Sequence, residues 1–321
     1  MDFVKALFRI IDKTMNRVQN GNYEIKDADK ITVVKDVIYS TSDLKNCVLD
    51  YYFPTEHQGP LPVIINIHGG GFTAGGKEFR KSLCTWYALQ GFMVFNVNYG
   101  LCPECKFPTP ILHLVEAVEW VENNAKKLNL DLKRMAVGGD SAGAYYACMI
   151  ATLSASKRLQ RHFGVEMRAH FGATILNCGI FDMEEALKHR MVFKMNVMLM
   201  QSYLGIPVTE IHEYKHKDFV SPTKYINTRF PPSFLIYCEK DIFCKGQTER
   251  VIDVLNQKDV YFESYHTSSI LRNHCFSLEW KSKEAKEANA MLKDFLLRFK
   301  NGELPKRVSE VNERKEGEEI K

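Results

Sequence analysis

The sequence predicts an α/β fold, a mostly parallel central sheet with helices on both faces and a helical cap. Three observations carry this. From Pro62 onward, short apolar β-rich runs alternate with segments of helical periodicity. Two of those runs pass directly into glycine-bearing turns, Val63–Ile67 into His68-Gly69-Gly70-Gly71 and Met135–Val137 into Gly139-Asp140-Ser141-Ala142-Gly143. At 321 residues with 45% hydrophobic and 26% charged side chains, the chain can bury a sizeable core beneath an ordinary polar surface.

The elements follow in order. Residues 1–20 read as an amphipathic helix with Phe3, Leu7, Ile10, Ile11 and Met15 on one side. Strand-like runs at Ile31–Tyr39 and Cys47–Phe53, separated by polar turn residues, read as a hairpin. Strand Val63–Ile67 leads to a helix near Arg80–Gln90, and strand Met93–Tyr99 leads through a Pro/Cys loop to a helix over Ile111–Leu128. Strand Met135–Val137 feeds a helix reaching Ala155. Further strands are expected at Ala173–Cys178, Ser233–Cys238 and Val260–Tyr265, with helices over Gln247–Gln257 and Lys283–Phe299. One stretch breaks the alternation: Asp182 to about Tyr214 is helical and carries Met183, Met191, Met195, Met198 and Met200. An insertion there belongs above the C-terminal edge of the sheet, where such folds bind ligands. The organisation expected is one domain over 1–300, capped by about 1–25 and 182–220, with a charged tail at 301–321.

A net charge of +4 is too small to imply a nucleic-acid partner. The start of the chain lacks the uninterrupted apolar stretch of a signal peptide, and no run approaches the length of a membrane span. Nine cysteines without regular spacing favour reduced, buried thiols, and a cytoplasmic setting is expected. Cys102-Pro103-Glu104-Cys105 has the spacing of a metal knuckle, but a zinc site needs two more ligands and there is no second CxxC.

The chemistry reads from the turns. Ser141 lies between glycines at −2 and +2, after a strand and before a helix, a turn tight enough to exclude side chains and to project the serine hydroxyl. The glycines after His68 let the main chain approach a developing oxyanion, together with the Ala142 N–H at the helix start. His68 precedes the serine and is expected to brace its own loop. A nucleophilic serine needs a base, and the base an orienting acid. In the chain order serine, acid, histidine, Asp241 follows the strand PSFLIYC and His274 follows the last strand, with Glu239 the rival acid and His266 the rival base. Together these residues say serine hydrolase.

The motifs HGGGF (68–72), NYGLCPECKFP (98–108), GGDSAG (138–143), Asp241 in EKDIF and His274 in NHCF resemble, in this order, those of α/β-hydrolases of the hormone-sensitive-lipase-like branch. That branch includes bacterial acetyl esterases and arylacetamide deacetylase-type enzymes. The resemblance covers about residues 30–300. It implies a capped α/β-hydrolase fold, a triad of Ser141, Asp241 and His274, and oxyanion donors at Gly70, Gly71 and Ala142. It further implies a carboxylesterase acting on small, short-acyl esters without a metal or organic cofactor, and without nucleic-acid binding or membrane insertion. A homodimer is compatible with it. Three positions depart from the family pattern: Cys275 replaces a glycine after the histidine, Ala144 a second glycine after the nucleophile turn, and Lys245 a second aspartate. An amidase or peptidase on the same triad, or a non-catalytic ligand receptor on the same fold, are the alternative readings.

Overall fold

The computed structural model describes residues 3–19, 23–188 and 194–311. Eight strands form one sheet: β1 (Ile31–Ile38), β2 (Val48–Pro54), β3 (Leu61–Ile67), β4 (Met93–Val97), β5 (Leu130–Asp140), β6 (Ala173–Asn177), β7 (Ser233–Cys238) and β8 (Phe262–Thr267), in the order β1-β2-β4-β3-β5-β6-β7-β8. β1 and β2 are the expected hairpin, and β2 also runs antiparallel to β4; every later pairing is parallel. β3, β4 and β6 are buried at every residue, as strands covered on both faces must be. The order reverses direction between β3 and β5, and the crevice beyond their C-terminal ends is where this topology places ligands.

The helices are α1 (Phe3–Val18), α2 (Lys81–Leu89), α3 (Thr109–Asn124), α4 (Ala142–Ala155), α5 (Lys157–Phe163), α6 (Met183–Lys188), α7 (Met195–Leu204), α8 (Gln247–Gln257) and α9 (Lys283–Asn301). Alternate residues of β3 feed two cores. Val63, Ile65 and Ile67 pack with α3, α4 and α8, whereas Ile64 packs with α2 and α9. α4 is buried on nearly all sides, which explains its almost uniformly apolar sequence AGAYYACMIATLSA. α9 is bounded as its sequence dictates: the Ser282 side chain accepts from the Ala285 N–H at its start, and Gly302 closes it in the left-handed region.

Several boundaries differ from the sequence expectation. β5 starts at Leu130 and not Met135, because its polar first half pairs with β3 only as far as Pro62 before the register shifts. α3 accordingly ends at Asn124, short of Leu128. β8 starts at Phe262, after Asp259 turns the chain with φ 52. The 182–214 insertion is no single helix, but α6, α7 and short 3-10 turns after Pro207. On α1, Ile10 is 65% exposed, while Ile11 faces inward, so the two do not share a buried side. The side chains of Phe3, Leu7 and Met15, and all of Met191, lie outside the described residues. Beyond α9 the chain stays bonded to the domain, Ser309 to Asp259 and the Lys306 carbonyl to the Tyr261 N–H, and 312–321 lie outside the described residues. Among the described residues, no helix is long and apolar enough to cross a membrane.

One ion pair fixes the exit of β5. The Arg80 guanidinium donates through Nε and Nη2 to the two Asp140 carboxylate oxygens, both at 2.6 Å, and both side chains are buried. A bidentate pair of this kind combines charge with a fixed plane. Removing one partner leaves a buried charge uncompensated, which typically costs about 3–5 kcal/mol. Arg80→Met is therefore expected to lower the unfolding free energy by about that amount, read as a shift of the urea midpoint at unchanged slope. A loss below about 1 kcal/mol would show that the turn does not depend on the pair.

Candidate active site

The nucleophile turn obeys the steric argument made from its sequence. A Cβ on Gly139 would lie 2.5 Å from the Gly143 carbonyl carbon and from the Ile67 carbonyl oxygen, and a Cβ on Gly143 would fall on that same oxygen. Ser141 itself sits at φ 53, ψ −121, a conformation rarely adopted by a side-chain-bearing residue. Its N–H donates to the Asn177 carbonyl at 2.8 Å, which ties the turn to β6. The hydroxyl has no hydrogen-bond partner among the described residues. α4 starts at Ala142, whose N–H belongs to the first turn of the helix and has no intrahelical acceptor.

Beside it, the segment after β3 curls at Gly70 and Gly71, both with positive φ, and the Thr73 and Ala74 N–H groups donate to the Gly70 carbonyl. His68 braces this loop. Its ring stacks on Tyr99 at 4.5 Å, its Nδ1 lies 2.7 Å from the Gly69 carbonyl, and the Tyr99 hydroxyl donates to the His68 carbonyl. Burial pushes the imidazole down to about 4, so His68 is neutral near pH 7 and Nδ1 is the donor. Phe72, at the end of the loop, stacks face to face on Tyr203 of α7, which joins the loop to the insertion.

Asp241 and His274 come together from the loops after β7 and β8. His274 Nδ1 is 2.9 and 3.0 Å from the two Asp241 oxygens, and both residues are buried. The Phe243 and Cys244 N–H groups also donate to Asp241, each at 2.8 Å. Burial alone would raise the Asp241 carboxyl; the charge and hydrogen bond of His274 and these two N–H groups outweigh it and hold the carboxyl below its ordinary range. Burial would lower His274, but the adjacent Asp241 carboxylate reverses this and raises it well above 6.5. Glu239 and His266, the rival acid and base, are both exposed, and His266 packs on Tyr237.

Ser141, His274, Gly70 and Gly71 line one cavity of about 60 Å³, with Ile11 of α1, Leu199 of α7, Ile180 and Phe243 forming its apolar side. Among the described residues, no methionine of the insertion reaches it; Met183 and Met200 are buried in the core instead.

Three supports were not foreseen from sequence. Gln19, just past α1, donates to the His274 carbonyl at 2.9 Å, and the Asn273 carboxamide oxygen accepts from the His274 and Ile242 N–H groups, binding the base loop to the acid loop. The third is Arg80, which neutralises Asp140, the buried aspartate directly before Ser141. Of the three departures from the family pattern, Cys275 keeps the left-handed conformation that favours glycine, with φ 55 and ψ 33. Ala144 is buried and Lys245 exposed. The Cys102 thiol donates to the Cys105 carbonyl, and the Cys105 thiol points at Asp43.

Comparison with known proteins agrees with this architecture. Ethyl acetate hydrolase of Pseudomonas putida is 31% identical over 135 residues, 41% of this chain and 42% of that protein. Esterase LipI of Mycobacterium tuberculosis is 37% identical over 103 residues, 32% of each chain. The chain thus spans well under half the length of these relatives. The crystal structure of esterase B from Lactobacillus rhamnosis superimposes with a TM-score of 0.80 at 20% identity, covering 93% of this chain and 96% of that one, and shares the α/β-hydrolase fold. The BD-FAE family model matches residues 49–252, and the chain therefore belongs to the BD-FAE family of hormone-sensitive-lipase-like α/β-hydrolases.

Proposed function

We propose that this protein is a serine carboxylesterase for small, short-acyl esters. The observation that carries the reading is the buried Asp241–His274 pair opening onto the same small cavity as Ser141 and the glycine loop. His274 takes the Ser141 proton as the hydroxyl attacks the ester carbonyl, and Asp241 fixes the imidazole tautomer and stabilises the imidazolium. Gly70, Gly71 and Ala142 N–H groups hold the tetrahedral oxyanion, each well-placed donor contributing about 3 kcal/mol to the barrier reduction. The alcohol leaves with the proton from His274, and water repeats the attack on the acyl-enzyme. The related proteins named as esterases support this chemistry.

The size of the cavity bears on the acyl group. Drug-sized ligands need about 300–1,000 Å³, so a space of about 60 Å³ favours a small acyl group unless the cap moves. We assign the cap to about 1–25 and 182–220, since Ile11 and Leu199 close the apolar side of the cavity.

Ser141→Ala is expected to abolish turnover of p-nitrophenyl acetate and labelling by a fluorophosphonate, with the circular-dichroism melt unchanged. Retained turnover in the purified variant would remove Ser141 from the role of nucleophile. Asp241→Asn is expected to lower kcat about 10⁴-fold, while Glu239→Gln, at an exposed position, leaves it within about twofold; the opposite ranking would move the acid two residues upstream. The reaction needs neutral His274, and Asp241 stabilises its protonated form, so the base is silenced over a wider acid range than a free histidine. kcat/KM for p-nitrophenyl acetate is expected to rise with pH through a midpoint above 6.5, and a midpoint below 6.5 would contradict control by the Asp241 charge.

A further inference from the structure

Four of the nine cysteines collect around His274. Cys178 follows β6 and Cys238 ends the neighbouring β7, Cys244 lies in the loop of Asp241, and Cys275 follows the histidine; all four are free and buried. The Cys178 and Cys275 sulfurs and a His274 ring nitrogen all lie within 4.8 Å of one another. Cys275 also lines the cavity beside Ser141, which gives the cluster a route to solvent.

We propose that Cys178, Cys275 and His274 form an inhibitory site for a thiophilic divalent cation, zinc or cadmium. Thiolate and imidazole are the donors such ions prefer. A tetrahedral ion with metal–sulfur distances of about 2.3 Å and metal–nitrogen distances of about 2.0–2.1 Å holds its ligand atoms about 3.5–3.8 Å apart. The cluster needs to contract by no more than about 1.3 Å to meet that geometry. Charge also fits the buried location. The ion displaces one proton from each of two thiols and binds neutral imidazole, so a dication with two thiolates adds no net charge to the interior. A fourth position is left for water, which can enter from the cavity that Cys275 and His274 line. Asp241 already holds Nδ1 of His274, so an ion that leaves that pair intact binds Nε2, the nitrogen that must receive the Ser141 proton. The ion is an inhibitor and not a cofactor.

The loss of activity rests on the esterase reading, whereas metal binding does not, so the two are measured separately. Cadmium titration of the reduced full chain at a pH above the His274 midpoint, followed by the ultraviolet thiolate-to-cadmium charge-transfer band, is expected to show one bound ion with two protons released. In parallel, p-nitrophenyl acetate turnover is expected to fall and to recover with a chelator. Cys178→Ala is expected to keep its turnover and to weaken both the band and the inhibition at least about tenfold. Cys275→Gly, which suits the left-handed backbone at that position, is expected to weaken the band equally and gives a second test if Cys178→Ala does not fold. Ser141→Ala is expected to bind cadmium like the unaltered chain. Absence of the band in the unaltered chain, or its full retention in either cysteine variant, would overturn the site. An intact band without inhibition would overturn the claim that the ion blocks the base.

Discussion

The tightest constraint in this molecule is the contact between the end of β3 and the first turn of α4. No Cβ fits at Gly143, because it would overlap the Ile67 carbonyl oxygen, and a Cβ at Gly139 would press on the same oxygen and on Gly143. The helix carrying the serine therefore starts directly against the strand that launches the glycine loop. A nucleophile and its oxyanion donors must lie within a few ångströms of a common carbonyl. The nearness of Ser141 to the glycine loop, which the proposed mechanism needs, comes from main-chain packing and from the reversal of strand order between β3 and β5, before any side chain contributes.

A buried polar chain holds this junction from below. Asn66 of β3 and Asn96 of β4 are paired in register, and the Asn66 amide donates to the Asn96 oxygen at 3.1 Å. Asn96 in turn donates to the Lys77 carbonyl, and Lys77 Nζ lies 2.7 Å from Asp50 and 2.8 Å from Asp36. Lys77 opens the short 3-10 turn that ends at Arg80, and Arg80 clamps Asp140, the residue before Ser141. Two asparagines within otherwise apolar strands are thus explained. They link β3 and β4 to the turn whose arginine clamps Asp140, and the Asn66 carboxamide oxygen alone of their side-chain oxygens is left buried without a partner among the described residues.

How much of this was legible follows from how local each determinant is. The turns at 68–71 and 139–143 could be read in full, because their sterics are decided within five residues of sequence and by the strand before them. The pairing of Asp241 with His274 was legible because the fold fixes where the last two strands end. Glu239 and His266 could be set aside only in three dimensions, since two residues along a loop separate a buried carboxylate from an exposed one. The polar start of β5 read as non-strand because Asp131, Lys133 and Arg134 mask a backbone that pairs regardless of side-chain type. Gln19 and Arg80 were beyond reach for another reason. Each acts on a residue distant in sequence, Gln19 on His274 and Arg80 on Asp140, and no periodicity links such pairs.

The two halves of the site are held by different physics. Ser141 and the glycine loop are fixed by strand ends and a steric contact that has no alternative arrangement. His274 sits on a loop after the last strand, secured by the Asp241 pair, the Asn273 bridge and one hydrogen bond from Gln19. It also precedes Cys275, a side-chain-bearing residue in a left-handed conformation, where strain of about 1–2 kcal/mol is expected. The loop carrying His274 is thus the softer half, and Gln19, just past α1, bonds it to the N-terminal segment. Burial pushes the Cys244 and Cys275 thiols up to about 12, so both stay neutral near pH 7, and the contact with Cys244 raises His274 in the same direction as Asp241 does. In the proposed triad Asp241 is then the fixed charge that sets the proton affinity of His274, and the geometry of that one carboxylate would govern when Ser141 is activated.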